Sequence, residues 1–251
     1  MKRTEARVES NRLIADNAYK MVMHVERDIV DAAKPGQFIH IDVPGSDSRI
    51  LRRPISINYM DGDRLAIVYA VVGDGTRRLT SVREGEKLDI LAPLGNGFAV
   101  EDDAKKVWIV GGGIGVAPML FAARAFADRE VEAFLGYRTR TAIYETELFD
   151  EVCKCVTVTT DDLTLGKHRF VTEPIKERLQ TERPDVILAC GPLPMFRALK
   201  EAAQDVPLYL SMEQRMGCGM GGCYTCTCKT KNGMKRVCKD GPVFRAEEVE
   251  L

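Results

Sequence analysis

The sequence predicts a multi-domain β plus α/β protein. An antiparallel β-barrel would occupy residues 1–102, a parallel-sheet α/β domain 103–211, and a small C-terminal domain 212–251. Three observations carry this reading. Short apolar runs separated by turn signals fill the first hundred residues. From about residue 103 buried strands alternate with helical segments. From Met212 onward the chain is rich in glycine and cysteine and poor in core-forming residues.

In the first part, 19–24, 37–43, 50–59, 64–71 and 87–91 are rich in Val, Ile, Leu and Tyr. Lys34-Pro35-Gly36, Val43-Pro44-Gly45, Asp61-Gly62-Asp63 and Glu84-Gly85-Glu86 separate them as turns. Strands so spaced, with no long helix, form a barrel or a sandwich. In the second part, 107–110, 131–137, 156–159, 186–190 and 208–211 read as buried strands. Helices are expected over 116–126 and over 172–179, where Thr172 can cap and Pro174 sits in the first turn. Such alternation gives a parallel sheet covered on both faces. The stretch 107–127 is long and apolar, but its glycines, Pro118 and Arg124 fit a strand, a turn and a helix better than a membrane span. The third part needs a staple, which a bound cluster can supply.

Composition narrows the function. The 251 residues are 45% hydrophobic and 29% charged, an ordinary globular balance. The formal charge of −1 comes from 36 basic and 37 acidic residues, with no basic stripe for nucleic acid. His24, His40 and His168 are too few and too scattered for a multi-histidine metal site. The start MKRTEARVES lacks an apolar signal core, so a cytoplasmic protein is expected. Eight cysteines without such a signal argue against secreted disulfides.

Five of those cysteines crowd between Cys218 and Cys238. Cys218, Cys223 and Cys226 have C-x4-C-x2-C spacing, and Cys238 adds a fourth sulfur, the pattern of a plant-type [2Fe–2S] site. Gly217, Gly219, Gly221 and Gly222 let the loop turn sharply and aim N–H groups at sulfur. Zinc is the alternative, but zinc knuckles usually carry two short cysteine pairs and Cys238 stands alone. Cys228 breaks the ligand spacing and reads as a small strand residue pointing away.

Val107 to Pro118 reads as strand, glycine turn and helix start, with Gly111, Gly112, Gly113 and Gly115 in the turn. Such a turn brings backbone N–H groups to a pyrophosphate at a helix N-terminus. The match is loose: Val116 takes the third glycine position, and Gly136-Tyr137-Arg138 offers no acidic ribose ligand. A plain structural turn remains the alternative. In the barrel part, Leu51-Arg52-Arg53-Pro54-Ile55-Ser56-Ile57 places arginine, proline and serine in one strand. Arg53 can neutralise a flavin pyrophosphate and Ser56 can bond the isoalloxazine edge. The alternative is a solvated edge strand. Gly73, Gly75 and Thr76 form a second turn able to meet phosphate, or a simple hairpin.

Taken together, these segments resemble the ferredoxin–NADP reductase superfamily. The Arg53 to Ser56 motif, the Gly75-Thr76 turn, the Gly111 to Pro118 loop and Cys190-Gly191-Pro192 follow its order. The segment from Ser211 to Cys223, with Val237 to Phe244, is similar to the electron-transfer subunits of type B dihydroorotate dehydrogenase. That resemblance implies FAD on Arg53, Pro54, Ile55 and Ser56, on Val68, Tyr69 and Ala70 of the next strand, and on Gly75 and Thr76. It implies NAD over Gly111, Gly112, Gly113 and Gly115, with Cys190 beside the nicotinamide. It puts the cluster on Cys218, Cys223, Cys226 and Cys238.

A nicotinamide exchanges electrons in pairs and a [2Fe–2S] cluster singly, and a flavin converts between them. The three modules use up the chain, so an organic substrate would react on another polypeptide. The resemblance implies an FMN-containing dihydroorotate dehydrogenase catalytic subunit, in a heterotetramer with two of each chain. Rival readings are the small subunit of a ferredoxin–NADP oxidoreductase of the sulfide-dehydrogenase type, whose cluster typically has an aspartate ligand, a reductase serving a monooxygenase, and a zinc-binding adaptor on a dead reductase fold. Arg138 and Arg140 lie where a 2′-phosphate would be read, so the residues leave NAD and NADP open.

Overall fold

The computed structural model describes residues 1–45 and 51–251. Six strands close a barrel: β1 (Lys2–Ala15), β2 (Ala18–His24), β3 (Phe38–Ile41), β4 (Arg53–Asp61), β5 (Arg64–Ala70) and β6 (Lys87–Leu94). Their order is β1-β2-β5-β4-β3-β6, and every pair is antiparallel. Two short helices interrupt it, α1 (Arg27–Ala32) and α2 (Asp74–Leu79). Inward-facing Met21, Met23, Ile39, Ile41, Ile57, Leu65, Ile67 and Ile90 fill the interior. Period-2 alternation makes this possible, since successive strand residues point to opposite sides.

Two differences from the sequence reading concern this barrel. The first strand, β1, was not anticipated. Its outer face carries Arg3, Glu5 and Arg7, and only Ala6 and Val8 are buried, so it lacks the apolar run that marks a strand. The Gly75-Thr76 segment lies in the first turn of α2, which removes the hairpin alternative and is not one of those differences. The strand expected over 50–59 begins at Arg53, and Ile50 lies outside the described residues.

The second sheet comprises β7 (Lys106–Gly112), β8 (Glu130–Tyr137), β9 (Cys155–Thr160), β10 (Val186–Cys190) and β11 (Leu208–Ser211), all parallel. Its helices are α3 (Val116–Ala125), α4 (Thr146–Asp150), α5 (Thr172–Arg178) and α6 (Leu193–Ala203). The alternation along β7 shows why both faces are covered. Val107 and Ile109 join Met119 and Leu120 of α3 and Phe149 of α4. Trp108 and Val110 join Ile175 of α5 and Phe196 and Leu199 of α6. Thr172 does not cap α5. It is the first helical residue, and Val171 holds the cap position without a side-chain bond.

The cysteine-rich segment adds β12 (Thr227–Thr230) and β13 (Gly233–Arg236), a separate hairpin, and then β14 (Val243–Arg245). β14 returns to the parallel sheet and pairs antiparallel with β11, as Tyr209↔Arg245, Leu210↔Phe244 and Ser211↔Val243. No helix among the described residues is long and apolar enough to cross a membrane.

Candidate functional site

The strand that carries Arg53 owes its position to the β3–β4 ladder, which sets Ser56 opposite Phe38 and Pro54 opposite His40. Arg53 folds back to donate to the Leu51 carbonyl and lies directly over Gly75. A Cβ at Gly75 would stand 2.3 Å from Arg53 Nε, so a side chain there would displace the guanidinium. Thr76 accepts from the Val72 and Gly73 N–H groups at 3.0 and 3.2 Å, fixing the start of α2. A cavity of about 330 Å³ opens here. Arg53, Pro54, Ile55, Ser56, Val68, Tyr69, Ala70 and Thr76 all line it, while Gly75 lies behind Arg53. The Tyr69 hydroxyl donates to Asn11 Oδ1 at 3.0 Å, and burial raises it well above its ordinary range, so it stays neutral.

The glycine turn lies at the carboxyl end of β7, the position where open α/β sheets bind ligands. Gly115 packs on the end of β10, where a Cβ would fall 2.4 Å from the Cys190 carbonyl oxygen. The strand residue Gly111 gives the clearance that Val116 needs at the third motif position, since a Cβ on Gly111 would meet Val116 Cα at 2.7 Å. Gly112, Gly113 and Gly115 line a second cavity of about 690 Å³. Gly111 supports the turn from below. Cys190 ends β10 fully buried, and burial holds its thiol protonated. Arg138 reaches the wall of this cavity, whereas Arg140 does not. Asp161, at the end of β9, shares that wall. An acidic group is thus present, supplied by the third strand instead of the second. Its carboxyl is raised by desolvation, against the opposing pull of Arg138 and Arg169.

The two cavities have Ile114 and Glu213 in common. Glu213 was not singled out from sequence, because an acid between Met212 and Gln214 carries no spacing signal. Desolvation raises its carboxyl above the ordinary range. Met212, Gln214 and Met216 also line the smaller cavity, so the chain passes from its wall straight into Cys218.

A buried polar network joins barrel to turn. A register shift in the β4–β5 ladder leaves Asn58 free to aim away from it. Asn58 donates to the Ala117 carbonyl at 2.8 Å and to Glu145 Oε2 at 3.0 Å, and Lys20 pairs with Oε1. Removing one partner of such a buried pair typically costs about 3–5 kcal/mol. Next to it, Tyr144 donates to the Gly113 and Ile114 carbonyls at 3.1 and 3.3 Å.

The cysteine loop turns through Gly219 and Gly221, both at positive φ, and through Tyr224 at φ 58°. Backbone N–H groups of Met220, Gly222 and Cys223 converge on Cys218 Sγ at 3.5, 3.2 and 3.4 Å. Cys218 N–H reaches Cys223 Sγ at 3.4 Å, and Cys238 N–H reaches Cys226 Sγ at 3.4 Å. These N–H contacts link 218 with 223 and 226 with 238. Among the described residues, the ligand atoms of Glu130, Glu132 and Glu182 make the one trio within 4.8 Å, so no three of these sulfurs do. A single tetrahedral zinc would gather all four more tightly, because each Zn–S bond is about 2.3 Å. Two irons, each taking one pair, fit the donor set. The Thr225 hydroxyl and the loop N–H groups hold the Cys223 thiol down at about 6, while burial pushes Cys238 up to about 12. Cys228 is buried on β12 in the core beneath. The glutamate trio is met by Lys106, Lys154 and Arg178 and is a salt-bridge cluster.

A barrel beside a parallel nucleotide-binding sheet, with two adjoining cavities and a four-thiol loop, defines a pyridine-nucleotide-dependent flavin reductase with an iron–sulfur segment. Comparison with known proteins agrees. Residues 213–250 match the iron–sulfur cluster binding domain of dihydroorotate dehydrogenase B, and 109–201 match the oxidoreductase NAD-binding domain. The dihydroorotate dehydrogenase B (NAD(+)) electron transfer subunit of Bacillus velezensis is 40% identical, over 100% of both chains. That of Clostridium acetobutylicum is 37% identical over 100% of this chain and 98% of its own. Among solved structures, an NADH-dependent reduced ferredoxin–NADP oxidoreductase covers 98% of this chain and 89% of its own, with a TM-score of 0.88 and 28% identity. Phthalate dioxygenase reductase shares the fold at a TM-score of 0.66 and 17% identity, over 91% of this chain and 87% of its own. The chain belongs to the family of dihydroorotate dehydrogenase B electron transfer subunits.

Proposed function

We propose that the chain conducts electrons between NAD(H) in the larger cavity, FAD in the smaller one and a [2Fe–2S] cluster on the cysteine loop, to or from an FMN-containing dihydroorotate dehydrogenase catalytic subunit in a cytoplasmic heterotetramer. One observation carries this: the two cavities meet at Ile114 and Glu213, and the wall of the smaller one runs on into Cys218. Bound FAD supplies the exchange between paired and single electrons. The chain's own residues do the rest. Residues 1–102 hold the flavin, 103–211 the nucleotide and 212–251 the cluster. Arg53 faces the flavin pyrophosphate, and Pro54, Ile55, Ser56, Val68, Tyr69 and Ala70 shape the ring pocket. Gly111, Gly112, Gly113 and Gly115 admit the dinucleotide backbone, and Cys190 ends the strand behind Gly191 and Pro192 of the cavity wall, on the side given to the nicotinamide. Cys218, Cys223, Cys226 and Cys238 hold the irons. Exposed Met220, Tyr224 and Met234 on the C-terminal segment suit a protein partner. Anaerobic addition of NADH tests the scheme: flavin bleaching followed by the signal of a reduced cluster is expected, and an unreactive flavin refutes it.

The small-subunit reading of a ferredoxin–NADP oxidoreductase draws support from the 28% identical structure. The four-thiol set and the 40% identical relatives favour the dihydroorotate dehydrogenase assignment.

Two variants probe the cavities. Arg53→Ala is expected to weaken FAD binding at least tenfold, since a hydrogen bond to a charged group contributes about 1.5–3 kcal/mol. Titration of the FAD-free chain measures this, and unchanged affinity removes Arg53 from the phosphate site. Asp161 lines the nucleotide cavity together with Arg138, and its charge there would repel a 2′-phosphate. Asp161→Asn leaves Arg138 unopposed and is expected to raise the NADPH-to-NADH ratio of kcat/KM about tenfold, equivalent to 1.4 kcal/mol. A ratio that does not move places the discrimination elsewhere.

A further inference from the structure

His40 is fully buried in β3, yet among the described residues neither of its ring nitrogens makes a well-formed hydrogen bond. Its ring lies against the cysteine loop. A Cβ on Gly219 would stand 2.6 Å from His40 Nδ1 and 3.0 Å from Cε1, so glycine is required for the loop to approach. The backbones of Cys218 and Arg52 are its polar neighbours. On the other side, β3 pairs with the flavin strand, His40 opposite Pro54 and Ile41 opposite Arg53. An imidazole carries at least one N–H, and a buried donor left without a good acceptor loses its hydration. A buried group without a partner in a native fold calls for an explanation, and a bound ion or redox group is one. The loop beside this ring is the place where sulfur and negative charge accumulate once irons are held.

We infer that His40 is a positioning residue for the cluster, donating its spare ring N–H to the sulfur shell of the loop that bears Cys218 and tying that loop to the flavin strand. The inference rests on the reading of the loop as a [2Fe–2S] site. Hydrogen bonds to sulfur stabilise the more negative, reduced cluster and raise its potential. Removal of the donor therefore lowers the cluster potential and leaves the flavin potential where it was.

The test uses the full chain with its cofactors, labelled with 15N-histidine, and the variants His40→Leu and His40→Gln. Iron and sulfide content of the unaltered chain comes first, and its failure would overturn the cluster reading itself. In the reduced unaltered chain, a weak histidine nitrogen coupling to the cluster is expected in electron–nuclear double resonance. Its absence overturns the inference, whatever the variants do. His40→Leu is expected to weaken electron affinity about tenfold, which is 59 mV for a one-electron couple. His40→Gln, which keeps a donor, is expected to stay near the unaltered potential. A His40→Leu cluster at the unaltered potential, or equal shifts in both variants, shows that the ring acts by shape alone and overturns the donor role.

Discussion

Cys218→Ser, Cys223→Ser, Cys226→Ser and Cys238→Ser are each expected to remove the cluster and abolish coupled electron transfer, while NADH still reduces dyes through the flavin. The unaltered chain should hold about two irons and two sulfides, the content of one cluster with four thiolate ligands. Each variant should fall close to none. The pairing of sulfurs explains why every position matters: losing one ligand opens the coordination of one iron, and the hard serine oxygen is a poor substitute for thiolate. Dye reduction survives because neither cavity is lined by any of the four cysteines. Cys228→Ser is the control. It lies in the core under the loop, so the variant should keep its irons. Stoichiometric zinc after anaerobic purification would reverse the assignment.

The second expected result is a division of labour. The isolated chain should show dye reduction by NADH and no turnover of dihydroorotate above background. Adding the FMN-containing catalytic subunit should couple dihydroorotate oxidation to NAD. The two cavities that adjoin are taken up by the proposed flavin and nucleotide sites. Their shared carboxyl, Glu213, sits between them and not in a third pocket. No histidine lines either cavity. If the cluster is the exit, cluster-ligand variants that still assemble should lose the coupled reaction alone. Dihydroorotate oxidation by the FMN-free chain would overturn this division.

The parts most legible in the sequence were those whose chemistry forces a pattern. Cysteine spacing showed the loop, because thiolates must converge from fixed offsets. The glycine turn showed itself because Gly115 packs against the Cys190 carbonyl with no room for a side chain. The barrel was legible strand by strand except for β1, whose outward charges and small inward Ala6 carry little hydrophobic signal. Asp161 escaped notice because the expected acid was sought at the end of the second strand, and adjacency of β8 and β9 is a tertiary fact. Glu213 and His40 were invisible for the same reason. Each matters through what the fold sets beside it.

The return of β14 to the sheet makes the iron-bearing segment fastened at both ends. It leaves the sheet after β11 and comes back to pair with that same strand. On the way, the Gly241 carbonyl accepts from Asn96 N–H of the barrel region at 2.7 Å, and Pro242 forms part of the smaller cavity's wall. A chain ended at Ser211 would therefore not be a shorter reductase with its electron outlet removed. It would expose the β11 edge and open the wall of the smaller cavity, leaving the Asn58–Glu145 network to hold the two larger units together. The segment that bears the cysteines is thus also a brace, pinned to the sheet by β14 and to the barrel region by the Gly241 carbonyl.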